Sequence, residues 1–375
     1  MMIVIAAGGT GGHLYPAVAL AQEFLRRDPA VRVLFVGTAR GLESKVLAHE
    51  GFELALISAK PVMGTGPVGM LKGLAAMPLS FWQCLKILRR RRARLVIGVG
   101  GYTSPMMVAA AAAVGVARVI LEPNANPGMA NKAVGPLAQR IFVAFESAAQ
   151  GFDRAKVRVV GTPIRSAFIE AALGASGTSR AAGEFRLLIF GGSQGAKAIN
   201  SAVIDGLQTM RDARVRMTIT HQTGESDHAR VTEAYRRAGI SASVVPFIYD
   251  MPAAIAAADL VVARAGAMTV AELTTCGKPA VLIPLPTAIY DHQTKNAKVM
   301  EAAGAAVLLP QAELTGEKLA RLIGSLTEDS ERLTAMATAS LSLRRTDAAE
   351  TIVRECYALV GGGHDKRQSL GAEAL

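Results

Sequence analysis

The chain has 375 residues, too many for one ordinary core and enough for two domains of typical size. Hydrophobic residues make up 51% and charged residues 19%, a balance that excludes a disordered chain. Lys and Arg outnumber Asp and Glu by 41 to 30, and the resulting charge of +11 favours anionic partners: nucleotide phosphates, acidic lipid or nucleic acid.

An apolar run at 3–7 reads as a first strand and opens directly into "GGTGGH", residues 8–13. Further β-branched runs at 31–36, 95–99, 116–121, 141–144 and 157–160 are each followed by a glycine-containing turn and a helical pattern. This alternation predicts a parallel, doubly wound sheet. Within it, "MPLSFWQCLKILRRRRAR" (77–94) places Pro78 at a helix start, then Phe81, Trp82, Leu85 and Leu88 at helical spacing, then Arg89, Arg90, Arg91 and Arg92. The only tryptophan beside dense positive charge suits the interface of an anionic leaflet, although a core-facing helix with a basic end would read the same way.

The pattern pauses over 171–183, a small-residue stretch that reads as a linker, and resumes with runs at 186–190, 215–220, 243–246, 260–263, 280–284 and 306–309. The second half opens on "RLLIFGGSQGAKAINSAV", the same plan of strand, double glycine, turn and helix as the first. Two Rossmann-like domains with a cleft between them follow, and the cleft is the default active site. The expected division is 1–161 together with a last helix at 347–360, then 162–346, with 361–375 a disordered tail. The longest apolar stretch, 106–117, is well short of the roughly 20 residues that span a bilayer, and with neither a basic n-region nor a small-residue cleavage site at its start no signal peptide is expected. Cys84, Cys276 and Cys356 are far apart and form neither a metal knuckle nor a disulfide framework, so a reducing, cytoplasmic setting is expected.

Glycine turns between strand and helix let backbone N–H groups approach an anion at the positive end of the helix dipole. "GGTGGH" is not the dinucleotide fingerprint: Leu14 stands where a third glycine is needed, and no acidic ribose anchor follows the second strand. No loop ends in the GK[ST] of a P-loop. Any single glycine turn serves packing as readily as binding, but "GGTGGH", "GGYTSP" (100–105) and "GGSQG" (191–195) together favour binding. "RAGAMTVAE" (264–272) supplies another helix start, suited to a diphosphate, with Glu272 about one turn further in, where it could accept both hydroxyls of a ribose or simply complement the dipole. "YDHQTKNA" (290–297) begins one more polar helix.

In order and spacing, "GGTGGH", "GVGGYTS", "GTPIR", "GGSQGA", "RAGAMTVAE" and "DHQTKNA" resemble the MurG family of bacterial glycosyltransferases, over nearly the whole chain. The resemblance implies an α/β GT-B fold of two Rossmann-like domains facing a central cleft. It also implies inverting, single-displacement transfer of N-acetylglucosamine from UDP-N-acetylglucosamine to lipid I, giving β-1,4-linked lipid II. Carried over onto this sequence, the family's donor contacts fall on Thr10, Gly11, Gly12, Asn124, Arg165, Ser193, Ile248, Ala267, Met268, Thr269, Val270, Ala271, Glu272 and Gln293. "LEPN" (121–124) and "TPIR" (162–165) depart from the family pattern but keep Glu122, Asn124 and Arg165. A location on the cytoplasmic face of the plasma membrane, held peripherally, follows from the lipid acceptor, and cell-wall assembly proteins are further candidate partners.

Such a transfer needs a base for the acceptor hydroxyl and stabilisation of the departing diphosphate. No Asp-x-Asp sequence occurs, so no metal or other cofactor is expected; helix N-termini, with Arg165 as ionic helper, take that part. His13 is the first choice of base, its alternative being a histidine that only bonds the loop or a donor phosphate. Glu122 is second, its alternative a buried structural carboxylate. Rival readings are a diacylglycerol glycosyltransferase, a UDP-N-acetylglucosamine 2-epimerase, or a UDP-sugar-binding protein without catalysis; no nucleic-acid-binding pattern is present.

Overall fold

The computed structural model describes residues 1–8, 11–38, 43–60, 66–175, 185–212, 217–288 and 291–361. Its first elements are β1 (Met2–Ala7), α1 (Gly11–Arg27), β2 (Arg32–Gly37), α2 (Glu43–His49), β3 (Glu53–Leu56), α3 (Gly66–Arg91), β4 (Leu95–Gly100), α4 (Ser104–Ala113), β5 (Ala117–Glu122), α5 (Met129–Val134), β6 (Arg140–Val143), α6 (Glu146–Ala149) and β7 (Val157–Val159). After α7 (Ser166–Ala175) come β8 (Phe185–Phe190), α8 (Lys197–Asp212), β9 (Met217–Gln222), α9 (His228–Ala238), β10 (Ala242–Val245), α10 (Met251–Ala257), β11 (Leu260–Ala263), α11 (Ala267–Cys276), β12 (Ala280–Leu282), α12 (His292–Ala302) and β13 (Ala306–Leu308). Helices α13 (Gly316–Glu328), α14 (Ser330–Ser342) and α15 (Ala348–Leu359) close the chain. None of the described helices is long and apolar enough to cross a membrane.

Two compact units result. The first comprises Met1–Pro123, Pro127–Pro163 and the chain from Asp347 on; the second comprises Asn124–Asn126 and Ile164–Thr346. In the first, seven parallel strands run in the order β3-β2-β1-β4-β5-β6-β7. Alternation along β1 sends Ile3 and Ile5 to one face, against Leu14, Val18 and Phe24 of α1, and Val4 and Ala6 to the other, against Cys84 and Leu88 of α3. β1 and β4 are buried at every position because helices cover both faces, which is why their sequences read as unbroken apolar runs. Ile352, Val353 and Cys356 of α15 complete the α1 side, where Tyr357 meets Phe24 at 5.7 Å between ring centroids and Glu350 pairs with Arg27 at 2.9 Å.

The second unit has six parallel strands in the order β10-β9-β8-β11-β12-β13. Both sheets therefore reverse their strand order once, between β1 and β4 and between β8 and β11. A doubly wound sheet opens a binding crevice at the carboxyl ends of the strands at this reversal, and all the glycine motifs lie there.

Three expectations change. The edge strand β3 was not expected: "ELAL" has no β-branched residue, and its side chains are half-buried or exposed. Helix α7 claims residues 171–175 from the expected linker, of which 176–183 lies outside the described residues, as does 362–375 of the expected tail. Pro78 does not start a helix but sits inside α3, which begins at Gly66; there it cannot donate a backbone bond to position 74.

Candidate functional site

In the first unit the site is built on β1 and β4. Gly11, Gly12 and His13 form the first turn of α1, so their N–H groups have no partner inside the helix; Thr10 lies outside the described residues. The loop after β4 presses directly on this turn. Gly101, at φ +73°, leaves room for Gly8: a Cβ there would stand 2.1 Å from the Gly8 carbonyl oxygen. Gly100, at φ +115°, seats the His13 ring, and a Cβ would stand 2.8 Å from its Nε2 and Cδ2. Gly8 and His13 of the first motif thus meet Gly101 and Gly100 of the second, although the two lie far apart in sequence. Helix α4 starts beside it, with Thr103 as a cap whose hydroxyl makes no capping bond; Thr103 Oγ1 and Ser104 Oγ are buried with no hydrogen-bond partner among the described residues.

Glu122, at the end of β5, is 1% exposed. Its Oε2 accepts from the Gly128 N–H at 2.9 Å and from Asn131 Nδ2 at 3.0 Å, and the same Nδ2 also donates to the Leu121 carbonyl at 3.1 Å. This geometry fixes the turn between β5 and α5. These bonds fit the structural alternative for Glu122, a buried carboxylate that braces the turn.

In the second unit the site is built on β8 and β11. Gly266 caps α11, and Val270 N already donates to the Gly266 carbonyl at 3.0 Å. The N–H groups of Ala267, Met268 and Thr269 are the ones left for an anion. The side chains of Ala267, Met268 and Val270 are buried in the unit and Ala271 is half-buried, so this motif offers backbone, not side chains. One turn on, Glu272 is 7% exposed; burial pushes its carboxyl up to about 7 from 4.5, against the opposing pull of the Arg165 guanidinium. Arg165 in turn lies over the Phe168 ring, 5.2 Å from its centroid. Ser193 is half-buried in the "GGSQG" turn, which closes on itself through Gly195 N to Gly192 O at 2.8 Å, and Ile248 is half-buried beyond β10.

Two positioning residues here had no role assigned from sequence. Arg264, 9% exposed, donates through one terminal nitrogen to the Ile283 and Pro284 carbonyls (both 3.0 Å) and through the other to Gln311 Oε1 at 2.6 Å. Asn296, fully buried, accepts from Ala125 N and donates to the Ala265 carbonyl, both at 3.1 Å. It thereby ties the segment carrying Asn124 to the turn that begins "RAGAMTVAE". Gln293 acts similarly, its Oε1 accepting from Leu285 N at 2.9 Å. Both positions lie inside quoted motifs, but a polar residue in a polar helix start gives no sign of burial until the fold is known.

Helix α3 corrects the expected docking face. Phe81, Leu85 and Leu88, spaced i, i+4 and i+7, turn inward: Leu88 is 2% exposed, and Phe81 and Leu85 pack against the same core. The outward stripe is Leu71, Leu79 and Trp82, at 69%, 51% and 57% exposure, followed by Lys86 over the Trp82 ring and by exposed Arg89, Arg90 and Arg92. Arg91 is engaged by Glu53 of β3.

Comparison with known proteins identifies the family and the fold. The glycosyltransferase family 28 N-terminal domain matches residues 3–143 and its C-terminal domain residues 186–352. The UDP-N-acetylglucosamine–N-acetylmuramyl-(pentapeptide) pyrophosphoryl-undecaprenol N-acetylglucosamine transferase of Syntrophus aciditrophicus is 46% identical over 96% of this chain and 98% of its own. That of Geobacter sulfurreducens is 44% identical over the same shares. Among solved structures, Acinetobacter baumannii MurG superposes with a TM-score of 0.75 at 29% identity, covering 95% of this chain and 99% of its own. A putative UDP-N-acetylglucosamine 2-epimerase from Listeria monocytogenes reaches 0.70 at 13% identity over 97% and 98%, which shares the fold alone. With its two Rossmann-like sheets, the chain has the GT-B fold and belongs to glycosyltransferase family 28 and, within it, to the MurG family.

Proposed function

We propose that the protein transfers N-acetylglucosamine from UDP-N-acetylglucosamine to the 4-hydroxyl of N-acetylmuramic acid in lipid I, with inversion, to give lipid II. The observation that carries this reading is the start of α11, with three N–H groups open to a diphosphate and a buried glutamate one turn beyond them. In this reading the second unit holds the donor. Glu272 accepts the ribose hydroxyls, the N–H groups of Ala267, Met268 and Thr269 take the charge that develops on the leaving diphosphate, and Ser193, Ile248, Arg165, Asn124 and Gln293 complete the contacts. The first unit serves the acceptor, with Thr10, Gly11 and Gly12 as further contacts to the donor.

The displacement is a single step. The acceptor oxygen forms a bond to C1 of the sugar as the C1–O bond to the diphosphate breaks, and the hydroxyl proton passes to His13. Glu122 keeps the turn after β5 in place. Incubation with UDP-N-acetylglucosamine should release UDP only when a lipid I analogue is present, and the product should carry one added N-acetylglucosamine. Turnover of the donor alone to its 2-epimer, or tight UDP binding with no turnover under any acceptor, would replace this reading with one of its rivals.

We further propose that the enzyme works peripherally on the cytoplasmic face of an anionic membrane, docked through the outward stripe of α3. An exposed Trp ring with cationic neighbours suits the headgroup region. Each basic residue near such a surface contributes about 1 kcal/mol, so replacing Arg89 and Arg90 with serine should weaken binding to phosphatidylglycerol vesicles roughly 30-fold, and Trp82→Ser should weaken it further. Arg91→Ser should matter little, because its guanidinium is held by Glu53. Leu88→Ala should instead lower stability by about 2–5 kcal/mol and leave vesicle binding alone. Co-sedimentation and thermal melts separate these outcomes; equal vesicle binding by all the variants would remove α3 from the membrane.

A further inference from the structure

Behind the "GGSQG" loop lies a buried polar chain that the proposed chemistry does not use. His221, at the end of β9, is 0% exposed, Asn200 of α8 1% and Tyr235 of α9 2%. His221 Nδ1 lies 3.2 Å from the Tyr235 hydroxyl and Nε2 lies 3.1 Å from Asn200 Oδ1. Asn200 Nδ2 donates to the Thr223 carbonyl and to Asp227 Oδ2, both at 2.9 Å, and Arg230 braces Asp227 through Nε at 3.1 Å and a terminal nitrogen at 2.9 Å.

The directions of these bonds follow from one residue. Both protons of the Asn200 amide are committed to oxygen acceptors, so its Oδ1 is the atom facing the imidazole and His221 must donate from Nε2. Nδ1 is then the acceptor, and the Tyr235 hydroxyl donates to it. The imidazole stays neutral, since burial pushes its pKa down to about 4.

What the chain holds is the Thr223–Gly224 turn, and this turn is interlocked with the glycine loop. Gly195 sits at φ +72° with room for no side chain: a Cβ would stand 1.9 Å from the Thr223 carbonyl oxygen. Gly224 sits at φ +77°, and a Cβ there would stand 2.2 Å from the Gln194 carbonyl oxygen. The loop carrying Ser193 cannot shift without the turn, and the turn is pinned by Asn200. Apolar side chains would fill the same space at less desolvation cost, so fixing one backbone geometry is the gain a fully satisfied network can provide.

From this geometry we infer that His221 and Asn200 are positioning residues for the donor site, setting the "GGSQG" backbone against the diphosphate through the Thr223–Gly224 turn. The inference rests on the reading of the second unit as the donor unit. Its test uses the full-length enzyme, UDP calorimetry, and steady-state kinetics with UDP-N-acetylglucosamine and a lipid I analogue. His221→Phe keeps a planar ring but loses both bonds, and should raise the UDP Kd and the donor KM about tenfold while kcat and the acceptor KM change less than about twofold. His221→Gln, whose amide can still donate to Asn200, should recover at least half of that loss on a logarithmic scale. Tyr235→Phe removes only the outermost donor and should raise the donor KM about two- to threefold; it decides the matter if the His221 variants do not fold. Folded variants with lowered melting temperature but wild-type donor KM and UDP Kd would overturn the positioning role. Wild-type enzyme that fails to bind UDP would instead overturn the donor reading, and the positioning role with it.

Discussion

His13→Ala should lose about two to four orders of magnitude in turnover while its UDP Kd stays within about threefold of wild type. The size follows from the proposed role of His13 as the group that accepts the hydroxyl proton while the new glycosidic bond forms. The selectivity follows from where the histidine stands. It belongs to the first turn of α1, in the unit that does not carry α11, and its ring is held by the Gly100 backbone, whose φ of +115° gives it a seat no other residue would leave open. A histidine that merely bonded the loop or a donor phosphate would give a different signature: a loss nearer tenfold, shared between kcat and donor binding. Single-turnover rates with a lipid I analogue, read beside UDP calorimetry, separate the two. Added imidazole should restore part of the lost rate if proton transfer is what was removed, and turnover within about threefold of wild type would end the assignment.

The seating of His13 shows what sequence could and could not convey. "GGTGGH" and "GGYTS" were each legible as a turn between strand and helix, because β1 and β4 are central strands with unbroken apolar sequences. That the two loops meet through Gly8 and Gly101 depends on the strand order, which places β4 beside β1. β3 escaped notice for the converse reason, since an edge strand needs no continuous apolar run. On α3 the periodicity was visible but its sense was not: Phe81, Leu85 and Leu88 mark the buried face, and Trp82, one residue off that stripe, marks the exposed one. Asn200, His221, Arg264 and Asn296 are polar residues whose partners lie from 14 to 171 positions away, so nothing local distinguishes them from surface residues. Glu272 falls between these cases. Its place one turn into a helix that starts on a glycine was readable, but its burial was not.

That burial gives Glu272 the second large effect. A rise from 4.5 to about 7, at roughly 1.4 kcal/mol per pH unit, makes the ionised carboxylate about 3 kcal/mol more costly in the ligand-free folded chain than in the unfolded one. Between these two values the folded chain keeps a proton that the unfolded chain has released, so stability is greatest below pH 4.5 and falls as pH rises to about 7. Glu272→Gln removes that slope, and at pH 8 the variant should unfold at higher denaturant concentration than wild type by up to about 3 kcal/mol. The same change should weaken UDP binding about 10- to 100-fold, because a carboxylate accepts both ribose hydroxyls and a carboxamide has one oxygen to offer. In wild type the donor KM should fall as pH rises towards 8 and the acceptor form of Glu272 fills, whereas in the variant that dependence should flatten. Denaturant melts at pH 5 and pH 8, with and without UDP, read both effects at once. A variant less stable than wild type at pH 8, or one that binds UDP equally well, would show that the carboxylate braces the fold and does not hold the nucleotide. The opposite signs expected for stability and binding are what a ligand-holding group produces: its ionised form is destabilising in the empty site and becomes favourable when the hydroxyls arrive.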